Sequence, residues 1–314
     1  MCTSIKFNER FFARTLDYER SFGEELIITP RDVARTMLSR NRYAMMGIGV
    51  MDDETPLYFD AVNEWGLASA ALNFPHYAVY SRLENERSVK SSELISTVLG
   101  LCRNLGEARK MLEEINVTTD KRHSDKPSGL HWIFADAQEC LTVEPTADGL
   151  RLYDNPIGVM TNAPELPYHL TRLADFAALE AENPESRFTH SPPYSRGMGA
   201  IGLPGDFSSS SRFARAAFIK ENLSFDSDNP VIHAASLIGT LGCMAVPRGS
   251  VLTDEGDAVV TRYMSVVDME EPCYYLSTAT CRTVKRIRLN DRLAQMDGII
   301  SIPIYGEEII IDLV

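Results

Sequence analysis

Of the 314 residues only six are cysteines, and no two of them form a CxxC pair. Cys2, Cys102, Cys140, Cys243, Cys273 and Cys281 are scattered along the chain, which suits reduced thiols in a cytoplasm better than a disulfide framework. Positive charge is also in short supply. The 31 Lys and Arg residues face 44 Asp and Glu, and no basic stretch offsets the resulting net charge of −13. Neither a nucleic acid nor an anionic membrane surface is therefore an expected partner. No apolar run approaches the roughly 20 residues that a membrane span requires. A secretory leader is not expected either, because Lys6, Glu9, Arg10, Arg14, Asp17 and Glu19 interrupt residues 1–20. The six histidines (His76, His123, His131, His169, His190, His233) show neither HExxH nor HxH spacing, so no zinc site is expected. GLPGD at 202–206 lacks the GK[ST] ending of a phosphate loop, and GMGAIG at 197–202 follows no predicted strand. Neither a metal nor an organic cofactor is expected.

What remains is an ordinary globular composition, 44% hydrophobic and 24% charged, in a chain long enough to bury a large core. CTSIKF (2–7) and FFARTLDY (11–18) read as strands around a turn at Asn8–Arg10, and ELIITP (25–30) and MMGIGVM (45–51) continue the strand signal. DVARTMLSR (32–40) is compatible with helix or strand. PLYFDAVNEWGLASAALNFP (56–75) reads as a hairpin turning near Asn63–Gly66, and residues 91–115 as helix broken at Asn104–Gly106. HWIFAD, CLTVEPT and GLRLYD are strands, with a turn at Ala147–Gly149. Helices are predicted over 208–222 and 229–244, after a long loop-rich stretch at 183–211. VVTRYMSVVD, CYYLSTAT, TVKRIRLN and EEIIIDLV close the chain as strands. Strands, helices, strands, helices, strands is the order of an α+β fold with mainly antiparallel sheet. There is no repeat or linker, so one domain over residues 1–314 is expected.

Cys2 directly follows Met1, and a small residue there generally permits removal of the methionine. The cysteine would then carry its own free amine. Since α-amines titrate near about 8 and thiols near about 8.5, that amine can serve as base toward the thiol. Arg14 and Asp17 lie on the next predicted strand, where the arginine could favour the thiolate and the aspartate orient the ammonium. A buried structural cysteine beside a surface Arg/Asp pair accounts for the same residues, and most cysteines are of that kind. A papain-like pair of Cys102 or Cys140 with a histidine is conceivable, but neither carries a local signature. Acyl transfer also needs donors aimed at a developing oxyanion. Asn73 in LNFP and Asn162 in VMTNAP are placed to supply amides, although a turn role is the ordinary one beside proline. Arg212, in the first turn of a predicted helix, runs against the dipole preference for acids there.

Taken together and in order, these segments resemble the choloylglycine hydrolase family, the conjugated bile acid hydrolases and penicillin V acylases among the N-terminal-nucleophile hydrolases. MCT resembles the family's processing site, FARTLD its FGRNLD, and the segment ending in LNFP its GLNFP. DNPIGVMTNAP resembles DNPxGVLTNNP, and GLPGDFSSSSRFARA resembles GLPGDxSxxSRFVRA. Ala13, Thr15, Ala71 and Ala163 depart from the usual residues of these motifs without touching the six matched positions Cys2, Arg14, Asp17, Asn73, Asn162 and Arg212. The resemblance implies an αββα four-layer sandwich of two antiparallel sheets, a homotetramer, and cofactor-free amide hydrolysis. It implies Cys2 as nucleophile with its α-amine as base, an acyl-thioester intermediate, and an oxyanion held by the Asn162 side chain and the Asn73 backbone N–H. Arg14 and Arg212 would support the thiolate, and Asp17 would orient the amine. Asn73 is typical of the bile acid hydrolases, whereas several penicillin V acylases resemble them with a tyrosine there. Tyr18, Phe22 and Phe59 fall where the family's loops line an apolar substrate pocket. Glycine- or taurine-conjugated bile acids are the expected substrates; penicillin V or an N-acyl-homoserine lactone is the alternative on the same machinery. A chain that keeps Met1 would instead be a non-catalytic bile-acid binder.

Overall fold

The chain enters a sheet at its second residue. β1 (Cys2–Lys6) and β2 (Phe11–Tyr18) are joined by a turn in which Asn8 Oδ1 accepts the N–H groups of Arg10 at 2.8 Å and Phe11 at 3.0 Å. Such local side-chain bonding is what makes asparagine a turn former. The computed structural model describes residues 1–33, 40–120, 129–188, 190 and 195–313. β3 (Glu25–Thr29), β4 (Met45–Asp52), β5 (Thr55–Asn63) and β6 (Ala68–Asn73) follow as a meander. The β5–β6 turn requires Gly66, whose φ is +81° and whose missing Cβ would stand 2.1 Å from the Met269 carbonyl oxygen. β7 (Ser88–Lys90) leads into α1 (Leu94–Leu101) and α2 (Leu105–Glu114), the second capped by Asn104, and β8 (Asn116–Thr118) pairs in parallel with β7. β9 (Leu130–Ala135), β10 (Cys140–Thr146), β11 (Gly149–Asp154) and the short β12 (Val159–Met160) come next. α3 (Leu166–Arg172), α4 (Ser209–Asn222) and α5 (Pro230–Leu241) precede β13 (Val260–Asp268), β14 (Cys273–Thr278), β15 (Lys285–Arg288), α6 (Asp291–Ala294) and β16 (Ile300–Pro303).

The strands assemble into two large antiparallel sheets. One runs β12-β1-β2-β13-β14-β15 and the other β11-β10-β9-β6-β5-β4-β3-β16. Side-chain alternation decides what lies on each face. On β2, Phe12 and Leu16 join Cys2, Ile48, Val62, Leu72 and Ile133 in the core between the sheets. Phe11 and Ala13 point the other way, into a core with Phe213, Ala217 and Leu237 of α4 and α5. The second sheet covers its outer face with Leu94, Val98 and Leu105 of α1 and α2 against Trp132 and Phe134. Each buried Val, Leu, Ile or Phe among them contributes about 1.5–3 kcal/mol. The result is helix, sheet, sheet, helix: the αββα sandwich.

Two β-bulges break the alternation where the sheets face each other. Between β13 and β2 the register jumps from Thr261↔Asp17 to Tyr263↔Leu16, so Thr261 and Tyr263 lie on opposite faces despite their even separation. Between β4 and β5 it passes from Ile48↔Asp60 to Gly49↔Tyr58, leaving Phe59 as the extra residue. Bulges re-aim side chains and recur next to functional sites.

Three expectations need correction or a limit. EEIIIDLV does not form a strand over residues 307–313; the edge partner of β3 is Ile300–Pro303 instead. Its apolar residues have no strand to pair with, and Ile310, Ile311 and Leu313 are 77–92% exposed. The helix α3 lies in a stretch for which no helix was expected. Most of DVARTMLSR, residues 34–39, lies outside the described residues, as do residues 189 and 191–194 of the long loop.

Candidate active site

Cys2 opens β1 with Leu16 of β2 as its cross-strand partner, and it is 2% exposed. With Met1 attached, its nitrogen is a main-chain amide and donates to Asn162 Oδ1 at 3.0 Å. The ladder is extended beyond Cys2 by the Met1 carbonyl, which accepts from Asp17 N–H at 3.0 Å, and the Met1 amine donates to the Asp17 carbonyl at 2.7 Å. A separation of three along a strand puts Arg14 and Asp17 on opposite faces. Cys2 is therefore approached from both sides of its sheet.

On the helix side, the Asp17 carboxylate accepts from Thr261 Oγ1 at 2.6 Å and Thr15 Oγ1 at 3.0 Å. The β13 bulge is what turns Thr261 toward it. Arg212 rises from the first turn of α4, which Ser208 caps, and its guanidinium ties the β1 terminus to Asn162 and to the chain before α4. Nη1 donates to the Cys2 carbonyl and to Thr3 Oγ1 (2.8 Å), Nη2 to Asn162 Oδ1 (2.6 Å), and Nε to the Phe207 carbonyl (3.0 Å). Burial pushes the Arg212 pKa below its ordinary value, with Asp17 and Cys2 partly offsetting this.

On the inter-sheet side lies Arg14, wholly buried. Its Nη1 donates to the carbonyl of the bulged Phe59 at 2.9 Å and to Asp60 Oδ1 at 3.3 Å, and the guanidinium lies 5.6 Å from the Tyr263 ring centroid. Burial opposes its charge, but Tyr263, Cys2 and Asp60 more than compensate and raise its pKa. Among the described residues Arg14 Nη2 has no hydrogen-bond partner.

Asn162 joins the two sheets at this point. Its Oδ1 receives Cys2 and Arg212, and its Nδ2 donates to the Asn73 carbonyl at 2.7 Å. Phe74 N–H bonds the Gly129 carbonyl at 2.7 Å, so the N–H and carbonyl of Asn73 face away from β9. β5 pairs with β6 only as far as Ala70, and the end of β6 thus presents main-chain groups toward Cys2. Asn162 is itself gripped from behind. Ser209 Oγ accepts its N–H (2.9 Å) and approaches its carbonyl (2.8 Å), and His169 Nε2 donates to the same carbonyl at 3.0 Å. The preceding Thr161 carbonyl accepts from His131 Nε2 at 3.1 Å, while His131 Nδ1 faces Glu144 Oε1 at 3.2 Å. Burial lowers the His169 pKa.

Tyr18, Phe22 and Phe59 form one aromatic row beside Cys2. Tyr18 and Phe22 meet edge-on at 4.7 Å and Phe22 and Phe59 at 5.6 Å. Phe22 is 38% exposed, and Phe59 packs partly buried against the inter-sheet core. The Tyr18 phenol has its pKa raised by burial first, then by Glu19 and Cys2. All nine sequence-derived positions thus fall in one neighbourhood. Sequence reasoning missed Asp60, Ser209, His169 and Thr261. An acidic residue within the apolar strand PLYFDAVN was the available signal for Asp60, and Ser209 passed as a capping serine. Burial pushes the Cys102 and Cys140 thiols up to about 12, away from the thiolate form that attacks. Among the described residues, no group of three or more His, Cys, Asp or Glu is placed to hold a metal ion. None of their helices is long and apolar enough to cross a membrane.

The same architecture recurs in known proteins. A bile salt hydrolase/transferase from Lactiplantibacillus plantarum is 36% identical over 98% of this chain and 98% of its own length. The crystal structure of a mutant conjugated bile acid hydrolase from Clostridium perfringens superposes with a TM-score of 0.89 at 28% identity, covering both chains fully. Penicillin V acylase from Agrobacterium tumefaciens shares the fold, with a TM-score of 0.77 at 21% identity over 98% of this chain and 94% of its own. Residues 2–301 match the profile of the linear amide C–N hydrolases, choloylglycine hydrolase family. The chain belongs to the choloylglycine hydrolase family, and it is a hydrolase of amide bonds.

Proposed function

We propose that this chain, as one domain over residues 1–314, hydrolyses the amide bond of glycine- and taurine-conjugated bile acids with Cys2 as its nucleophile. The observation that carries this reading is the Asn162 side chain, which bonds the Cys2 nitrogen through Oδ1 and the Asn73 main chain through Nδ2. A nucleophile, an amide donor and a free strand end therefore meet at one point. Support for the substrate comes from relatives whose names are bile salt hydrolase and conjugated bile acid hydrolase. The aromatic row supplies an apolar face of the kind that a steroid buries at roughly 25 cal/mol per Å².

In this reading Met1 is removed and the Cys2 nitrogen becomes an amine. It takes the proton from Sγ, and the sulfur attacks the amide carbonyl carbon. The developing oxyanion is held by Asn73 N–H and by the second hydrogen of Asn162 Nδ2. The ammonium returns its proton to the leaving nitrogen, releasing glycine or taurine and a thioester. Water then attacks the thioester carbon and gives a proton to the amine. The bile acid departs and the thiol is restored. Arg14 favours the anionic sulfur from between the sheets, and Arg212 holds the Cys2 carbonyl and Asn162 in place. Asp17, held by Thr15 and Thr261 on the helix side, orients the amine.

The test is turnover of glycocholate, taurocholate, penicillin V and an N-acyl-homoserine lactone by purified enzyme. Hydrolysis of the two bile salts well above the others is expected. Negligible bile-salt hydrolysis with turnover of penicillin V or the lactone would move the reading to an acylase. Binding without turnover, in a chain that keeps Met1, would make it a bile-acid binder. A cytoplasmic homotetramer is part of the proposal, to be checked by fractionation of the source cells and by sedimentation.

A further inference from the structure

We propose that Asp60 is a positioning residue of the site: it fixes Arg14 from the opposite sheet and sets how much of the Arg14 charge reaches the Cys2 sulfur. The inference rests on the reading of Cys2 as nucleophile. Asp60 stands on β5, one residue past the bulge at Phe59, and is 1% exposed. Among the described residues, the donors to its carboxylate all come from the other sheet. Oδ1 accepts from Tyr263 Oη at 2.5 Å and Arg14 Nη1 at 3.3 Å, and Oδ2 accepts from Ser265 Oγ at 3.0 Å and from Tyr274 Oη. Burial first, and then the Asp60 charge, keeps both tyrosines protonated well above their ordinary range, so they remain donors.

This arrangement differs from a simple buried ion pair. Removing two charges from water is costly unless further hydrogen bonds satisfy them. Here three hydroxyls spread the carboxylate charge, and the Arg14 contact is the longest of the four. Asp60 thus anchors Arg14 while neutralising it only in part. Among the described residues Arg14 Nη2 has no hydrogen-bond partner, so no second acceptor offsets the guanidinium charge from that side. Cys2 and Arg14 stand on paired strands with their side chains on the same inter-sheet face, Cys2 opposite Leu16 and Arg14 two residues before it, and Cys2 is among the groups that raise the Arg14 pKa. Cys2, Tyr263, Tyr274 and Asp60 face Arg14, while Arg212, Arg14 and Tyr18 face Cys2 with Asp17 behind Arg212.

The two halves of the proposal predict shifts of opposite sign. Asp60→Asn removes the counter-charge and loosens Arg14. Its kcat should fall on the order of 10²-fold, the usual cost of misplacing a catalytic group by about 1 Å. KM should change little, and the acid limb of the kcat/KM profile should move to lower pH. Tyr274→Phe removes a donor and leaves more carboxylate charge facing Arg14. Its kcat should fall only a few-fold, and its acid limb should move to higher pH. Both variants are assayed beside wild type and Cys2→Ala, with whichever substrate of the panel is turned over fastest. A folded Asp60→Asn enzyme with wild-type kcat and acid limb overturns the proposal, as do limbs that move in the same direction in both variants. If Asp60→Asn does not fold, an unmoved limb in Tyr274→Phe overturns it alone. Failure of the Cys2 reading is separate, because it appears as activity retained in Cys2→Ala.

Discussion

Around the Cys2 terminus polar side chains are held from several directions, while in the neighbouring row three aromatic rings meet only edge to face. Arg212 makes four hydrogen bonds to three segments of chain, and Asn162 is fixed through both ends of its amide and through its backbone. Tyr18, Phe22 and Phe59 form a row whose middle ring is 38% exposed. Hydrogen bonds fix direction and distance; ring contacts tolerate sliding. The difference assigns the reaction to the rigid end and the choice of acyl group to the adaptable one. Substitutions at the first should act on kcat, and substitutions at the second on KM.

The largest break is expected at Cys2. Cys2→Ala should lose all measurable hydrolysis while its thermal midpoint changes by no more than about 1 kcal/mol equivalent, since a small buried thiol packs much as a methyl does. Cys2→Ser should keep a trace at most. Next, Asn162→Ala should lower kcat by about 10²–10³-fold, the size seen when an oxyanion donor is removed. Single-turnover measurements would show that loss in the acylation step, and an effect confined to KM would contradict the division of labour. At the aromatic end, Phe22→Ala should raise KM by about tenfold, ~1.4 kcal/mol, with kcat nearly unchanged. A kcat loss as large as that of Asn162→Ala would erase the contrast.

How much of this was legible in the sequence follows the range of the interaction involved. β1, β2 and α4 at the site read correctly because periodicity and caps are local, as in the Asn8 turn and the Ser208 cap. Cys2, Arg14, Asp17, Asn73, Asn162 and Arg212 were legible as a set only through five separated motifs, since each residue alone had a structural explanation. The bulges at Phe59 and Thr261–Tyr263 were not legible, because an extra residue in a ladder is defined by its partner strand. Asp60 depends on both bulges and was missed for that reason. α3 was missed although Leu166, Leu170 and Leu173 follow helical spacing with Pro167 in the first turn, because TNAPELP reads first as a turn. EEIIIDLV shows the opposite error: β-branched residues suit a strand, but no partner edge receives them.

The smallest expected effect concerns His169, which holds the Asn162 carbonyl. Its burial lowers its pKa from the ordinary 6.5, so between the two values the unfolded chain binds more protons than the folded one. The stability it contributes is fully present above 6.5 and declines as pH falls through that window. His169→Gln keeps a donor without the titration, and urea midpoints taken above and below 6.5 should converge relative to wild type. Midpoints with an unchanged pH dependence would remove His169 from the account.

The central claim, that Cys2 acts as an amino-terminal nucleophile, is tested most directly by intact mass and peptide mapping of enzyme quenched during turnover of glycocholate. The predicted result is a chain lacking Met1 that carries one cholyl group on the Cys2 peptide. An active enzyme that retains Met1, or an acyl group mapped to any other residue, would contradict it.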